Sequence, residues 1–120
     1  MPVTHRPTRS LRVLLAFPDA AALALRLGLQ PDIEVVADTL ARPAVALVEE
    51  LLAAREILDE DPECRVLVLT GSAHPGLREA ALAAGAAGLV LRDGPVEDLA
   101  ESIRRASMGE TVVDPALEGP

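Results

Sequence analysis

The chain has a single cysteine, Cys64, in 120 residues. That excludes an internal disulfide and any metal site built from several thiolates. There is no tryptophan or tyrosine and only one phenylalanine, Phe17. The aromatic platform on which single-strand binders stack bases is therefore missing. Lysine is absent, which removes Schiff-base chemistry on an amine. Positive charge is scarce: 11 arginines stand against 19 acids, for a net charge of −8. A domain that acidic repels a phosphate backbone unless its arginines cluster, so direct nucleic-acid binding is not expected. Long apolar runs are also lacking. The best, Ala80 to Leu91, contains Gly85 and Gly88 and is shorter than the roughly 20 residues a bilayer needs. Arg6, Arg9 and Arg12 precede or enter the apolar run Leu11–Phe17, in the manner of a secretion signal. Pro18, Asp19 and Arg26 interrupt it, and no clean small-residue cleavage site follows. The expected location is the cytoplasm.

What is present is ordinary for one globular domain. Half the residues are hydrophobic and a quarter are charged, enough apolar surface to fold without staples. Residues 1–10 are polar with two prolines and read as a flexible arm. Short apolar runs then alternate with amphipathic stretches. Leu11–Phe17 reads as a strand buried on both faces. Asp19 is placed to cap a helix over Ala20–Leu29. Ile33–Ala37 is a second strand, and Arg65–Thr70 is the clearest strand of all. Pro75 opens a helix through Ala84, stopped by Gly85. Gly88–Leu91 is another strand. Pro95 opens the last helix, through about Met108, with Val96, Leu99, Ile103 and Ala106 on its apolar face. Glu97 and Asp98 in its first turn and Arg104 and Arg105 near its end suit the helix dipole. Strands alternating with helices predict a parallel sheet covered on both faces.

From Leu11 onward the chain resembles the receiver domain of bacterial two-component response regulators, of the LuxR/NarL-type subfamily. Arg12-Val13-Leu14-Leu15-Ala16 matches that family's first strand and Pro31-Asp32-Ile33-Glu34-Val35-Val36 its second. Arg65 to Thr70, Arg78-Glu79-Ala80, Ala83 through Gly88, Leu91-Arg92-Asp93, Ile103-Arg104, Gly109-Glu110-Thr111 and Asp114 to Leu117 follow it closely. The match covers residues 11–37 and 65–117. It implies a three-layer α/β fold with a flavodoxin-like (CheY-like) parallel sheet, a receiver-like domain over 11–115, and a linker stub or tail over 116–120.

The departures from the family pattern carry the functional argument. Two adjacent acids that hold Mg²⁺ are replaced here by Phe17 and Pro18, neither of which offers a carboxylate oxygen to a hard cation. Asp19 comes one place late. The family's lysine after the fifth strand is Arg92, a fork instead of a point donor. The switch hydroxyl survives as Thr70.

The phosphoacceptor should end a third strand, yet only 26 residues separate Ala37 from Cys64. In one reading, Arg42 to Glu49 is that strand, and Glu49 occupies the phosphoacceptor position as a permanent charge mimic. In the other, residues 43–59 form one helix that replaces helix, strand and helix together. At 100° per residue Ala44, Leu47, Val48, Leu51, Ala54 and Leu58 share a face, with Glu49, Glu50, Glu56 and Glu60 opposite. A parallel crossover takes about a dozen residues, which Asp38–Ala41 cannot supply. Geometry favours the helix, and with it a sheet reduced to four strands.

Thr70, Ser72 and Arg92 then form a vestigial switch or anion site at the strand ends, read foremost as capping and loop residues. Ser72 and His74 lack a nucleophile elbow and an orienting acid, so catalysis is not expected. His5, His74 and Cys64 do not have zinc spacing, and no metal or cofactor is expected. Cys64 reads as a small filler. The functional expectation is a non-enzymatic, degenerate receiver. It would signal without phosphorylation, as a homodimer through its alanine-rich C-terminal half. Its partners would be another regulator or a LuxR-type DNA-binding domain outside this chain, with no membrane involved. The alternatives are a small-ligand sensor at the strand ends and a residual phosphoacceptor at Asp19 or Asp38.

Overall fold

The computed structural model describes residues 10–117; the arm over 1–9, with His5, and the tail over 118–120 lie outside the described residues. Six parallel strands alternate with four helices. They are β1 (Leu11–Ala16), α1 (Ala21–Gly28), β2 (Ile33–Val36), β3 (Val45–Val48), α2 (Leu51–Glu60), β4 (Arg65–Thr70), α3 (Leu77–Ala83), β5 (Gly88–Leu91), α4 (Val96–Ser107) and β6 (Val112–Val113). Single 3₁₀ turns stand at Thr39–Ala41 and Pro115–Leu117. The strand order is β2-β1-β3-β4-β5-β6.

The expected four-stranded sheet is corrected here, and so is the helix over 43–59. Residues 45–48 are the central strand β3, paired with β1 and β4, and the helix begins only at Leu51. All four residues of β3 are buried. A strand buried on both faces is a continuous apolar run, which periodicity cannot separate from a buried helical segment. The crossover argument also failed, for a measurable reason. β1 lies between β2 and β3, so residues 37–44 must cross two strand spacings and the length of one short strand. That is about 16 Å, within the roughly 25 Å that eight extended residues reach. One 3₁₀ turn suffices where a helix was thought obligatory.

The two faces of the sheet hold two apolar layers. Val13, Val45, Leu47, Leu67, Leu69 and Val90 pack beneath α1 and α4. Leu14, Ala46, Val48, Val66, Val68 and Leu89 pack beneath α2 and α3. Where no helix crosses β1 and β2, the strands carry polar side chains instead. Arg12 and Glu34 are register partners and form an exposed ion pair at 3.9 Å. Arg12 also donates to the Ala41 carbonyl at 3.2 Å, which ties down the short crossover.

β6 was not foreseen. It pairs with β5 through Gly88↔Val112 and Leu89↔Val113. A Cβ at Gly88 would run into the Val112 carbonyl, so glycine is what lets the sixth strand approach. Asp19 does not cap α1. Its backbone is left-handed at φ 60°, and the cap position is Ala20, with no side-chain cap bond.

Candidate functional site

In a parallel α/β sheet the loops after the strands' carboxyl ends converge on one edge. Here Phe17 and Pro18 follow β1, Glu49 follows β3, Thr70 ends β4 and Arg92 follows β5. The centre of the edge is one ion pair. Arg92 Nη1 donates to Glu49 Oε2 at 2.9 Å. The Glu49 side chain is 25% exposed and that of Arg92 44%. The pair is held from both ends. Glu49 is anchored by the fully buried β3, and the Arg92 amide donates to the Thr70 carbonyl at 2.8 Å. Gly71 lies under the guanidinium. A Cβ there would sit 2.9 Å from Arg92 Nη2, so a bare backbone lets the arginine lie across the β4 end.

Thr70 and Ser72 are turned to one another. Thr70 Oγ1 donates to the Ser72 carbonyl at 2.9 Å, and Ser72 Oγ lies 3.2 Å from His74 Nε2. All of these are loop contacts among exposed groups. The expected trio of Thr70, Ser72 and Arg92 is therefore not one anion-binding set: Arg92 is committed to Glu49, and the two hydroxyls serve their own turn. Asp38 accepts from the Leu40 amide at 3.0 Å and caps the 3₁₀ turn next to β2. An open cleft of about 420 Å³ adjoins the ion pair. Phe17, Pro18 and Leu23 form its apolar wall, and Asp19 and Arg26 stand at its rim with Glu49 and Arg92.

No family model matches this chain. Individual proteins do. The transcriptional regulatory protein DesR of Bacillus subtilis (strain 168) is 33% identical over 114 residues, covering 80% of this chain and 56% of DesR. An uncharacterized transcriptional regulatory protein of the same organism, YvfU, is 40% identical over 67 residues, 56% of this chain and 34% of YvfU. The chain thus spans about half or less of the curated relatives it matches. A two-component response regulator of the LuxR family from Aurantimonas sp. SI85-9A1 superposes with a TM-score of 0.78 at 21% identity, covering 91% of this chain and 93% of that one. The relatives are response regulators, and the chain has the fold of their receiver domains.

Phe17 and Pro18, which follow β1, offer no carboxylate, and the carboxylate nearest the ion pair's cation, Glu49, is already bonded to it. Among the described residues no three carboxylate, imidazole or thiol side chains gather as a metal cluster would. A hard divalent cation wants several oxygen ligands, so the donor set present does not fit Mg²⁺.

Sequence reasoning missed a second arginine device. Arg104 of α4 grips Asp32 with Nε and Nη2 at 2.8 and 3.0 Å, and donates to Gln30 Oε1 at 2.9 Å. The hydrogen bond from Arg104 holds the Asp32 carboxyl below its ordinary value. The only signal in the sequence was an arginine near a helix end, which the helix dipole alone explains. Cys64 is the small buried filler that was expected; burial pushes its thiol up to about 12.

Proposed function

We propose that this receiver is a phosphorylation-independent signalling module of a transcriptional regulator. It is neither an enzyme nor an active phosphoacceptor, and it acts in the cytoplasm by pairing and by passing a fixed conformation to a LuxR-type DNA-binding domain. The observation that carries the proposal is the 2.9 Å pair between Glu49 and Arg92. Transfer of a phosphoryl group to a carboxylate needs cationic charge to neutralise it. Here the cation-binding positions are apolar, and the remaining positive group is occupied by a carboxylate of the protein's own. That carboxylate supplies, at the end of β3, the negative charge that a phosphorylated side chain would bring. Its attraction for Arg92 is modest, about 0–1 kcal/mol for a pair this exposed. It biases the loop geometry but does not hold the fold together.

The test is incubation of the chain with acetyl phosphate, and separately with beryllofluoride, each with Mg²⁺. Intact mass and ¹H–¹⁵N spectra are recorded. The proposal expects an unchanged mass and unchanged spectra. It also expects Arg92→Ala to move the amides of Gly71, Ser72 and the residues after β3. A stable aspartyl adduct at Asp19 or Asp38 would overturn it in favour of a residual phosphoacceptor. Shifts with a pool of small organic anions, centred on the cleft beside Phe17, would overturn it in favour of a ligand sensor.

A further inference from the structure

Four of the five connections between successive strands carry a helix, and the one from β2 to β3 carries only the 3₁₀ turn at Thr39–Ala41. The sheet face that a helix would cover there stays open. Arg12 and Glu34 are exposed on it, and Ala16 and Val36 are half-buried. Beside the crossover lie three open clefts of about 390, 280 and 450 Å³, and Arg42 borders all three. Glu34 lines the first, Asp61 and Glu63 the second, and Glu60 and Asp61 the third. Leu40, also in the third, is 88% exposed. Against these four carboxylates stand two guanidinium groups, Arg12 and Arg42, and Arg12 is already engaged by Glu34 and the Ala41 carbonyl. Glu60, Asp61 and Glu63 have no ion pair within 4.0 Å among the described residues. They gather at the C-terminal end of α2, whose last turn holds no basic residue. That end of a helix is the negative pole of its dipole, where cations are favoured and carboxylates are not. The uncovered face is therefore also a face short of positive charge.

We propose that residues 1–9 of this same chain dock along the three clefts, with Arg9 beside Glu34, Arg6 beside Asp61 and Glu63, and Val3 on Leu40. This docking is independent of the Glu49–Arg92 pair and of the functional reading built on it. Position, charge and length choose the occupant. Ser10, the residue that follows the segment, lines the first cleft. The segment holds Arg6, Arg9 and His5 and no acid, in a chain whose net charge is −8. The first cleft shares Arg42 and Ala44 with the second, and the second shares Arg42 and Asp61 with the third. Counted back from Ser10, Arg6 and Val3 lie about 13 and 23 Å away along extended backbone. The order of Arg9, Arg6 and Val3 in the chain is thus the order of the clefts they would fill. A basic segment of another protein would meet the same carboxylates. A tethered one meets them at an effective concentration of about millimolar. The same face of a second copy is repelled, since acid would oppose acid. Each exposed arginine–carboxylate pair favours the docked state by up to about fivefold, so the docking is reversible and sensitive to salt. It gives the short crossover the cover that helices give the other four connections.

Paramagnetic broadening in the full chain tests this. Cys64→Ala removes the native thiol, and Thr4→Cys carries a nitroxide. At low salt the label should broaden the amides of Leu40, Arg42, Asp61 and Glu63 and leave those of α3 sharp. Raising salt from about 0.01 M to about 1 M shortens the Debye length from about 30 Å to about 3 Å, and the broadening should fall by about half or more. Arg6→Glu with Arg9→Glu should have the same effect at low salt. Adding Glu60→Arg and Glu63→Arg to that variant should restore the broadening, because every pair again joins opposite charges. Both cleft positions are exposed, and circular dichroism confirms that the variants fold. Broadening confined to Ser10–Arg12, or indifferent to salt and to the charge exchange, overturns the proposal. So does broadening carried from a nitroxide-labelled chain to a ¹⁵N chain mixed with it, which would place the segment on a second copy. An arginine-rich peptide should shift the cleft amides less in the wild type than in the Arg6→Glu, Arg9→Glu variant. Equal shifts in the two overturn the proposal as well, since the clefts would then stand open to a foreign segment.

Discussion

Cys64 shows how far one residue's surroundings decide its chemistry. Cys64 is 3% exposed at the entrance to β4, packed in the layer beneath α2 and α3, and its Sγ lies 3.9 Å from the Arg65 carbonyl. Burial disfavours the thiolate and raises the pKa to about 12, with Asp61 adding to the effect. The thiolate is the reactive form, so the native protein should resist a thiol reagent such as DTNB at pH 8 and titrate one equivalent after denaturation. Fast labelling of the folded chain would show that the thiol opens to solvent locally. The sign of the linkage follows. The folded state binds the thiol proton more tightly than the unfolded state, in which the pKa is about 8.5. This site's contribution to stability is thus complete below pH 8 and is lost as pH rises from about 9 toward 12. Cys64→Ala should flatten that alkaline loss in urea melts. The glycines belong to the same scale. Gly71 and Gly88 hold conformations open to any residue, and each is set by what lies above it: the Arg92 guanidinium in one case, the Val112 carbonyl in the other.

The elements bounded by turn residues were legible. α4, with Leu99, Ala100, Ile103 and Ala106 inward and charges outward, lies within a residue or so of where its pattern places it. β4 and β5 have the expected ends. β3 was illegible because its buried run, Val45, Ala46, Leu47 and Val48, is not followed by a turn residue as β4 is by Gly71. It also runs without a break in phase into a true helix, so the stripe Ala44–Leu47–Leu51–Ala54 is half genuine. Glu49 and Glu50 mark the join, and the extended backbone of Glu50 (φ −127°, ψ 145°) ends the strand. The candidate site followed suit. Phe17, Pro18 and Arg92 could be placed at the strand ends because strands β1 and β5 were clear. The partnership of Glu49 with Arg92 waited on a strand that periodicity could not show. This assignment has an energetic consequence. Leu47 is fully buried under α1 and α4, so Leu47→Ala should cost about 2–5 kcal/mol. Leu52, on the outside of α2 and 64% exposed, should cost less than about 0.5 kcal/mol when changed to alanine. Equal effects in urea denaturation would show that Leu47 does not sit in the core.

For the molecule as a whole, the sheet has a central strand set by β3 and a closing strand set by β6. The closing strand ties the segment after α4 into the sheet. β6 hydrogen-bonds to β5, and β5 ends at the residue before Arg92. The segment after α4 is therefore fastened to the strand that carries one half of the ion pair. Val112 and Leu117 are 3% and 7% exposed, and Leu117 joins the layer beneath α2 and α3. Burying two such side chains stabilises by about 1.5–3 kcal/mol each. A chain ending at Thr111 should thus lose about 3–6 kcal/mol, a large share of the roughly 5–15 kcal/mol of a typical domain. Gly88→Ala provides the same test without truncation, since its Cβ pushes β6 off β5 while every residue remains. If both the shortened chain and Gly88→Ala keep the wild-type midpoint, residues 112–117 contribute nothing to the fold, and a conformation fixed at Glu49 and Arg92 has no rigid path out of the domain. If both lose stability and amide exchange rises through Gly88 to Leu91, the sixth strand is the connection between the altered site and whatever chain follows it.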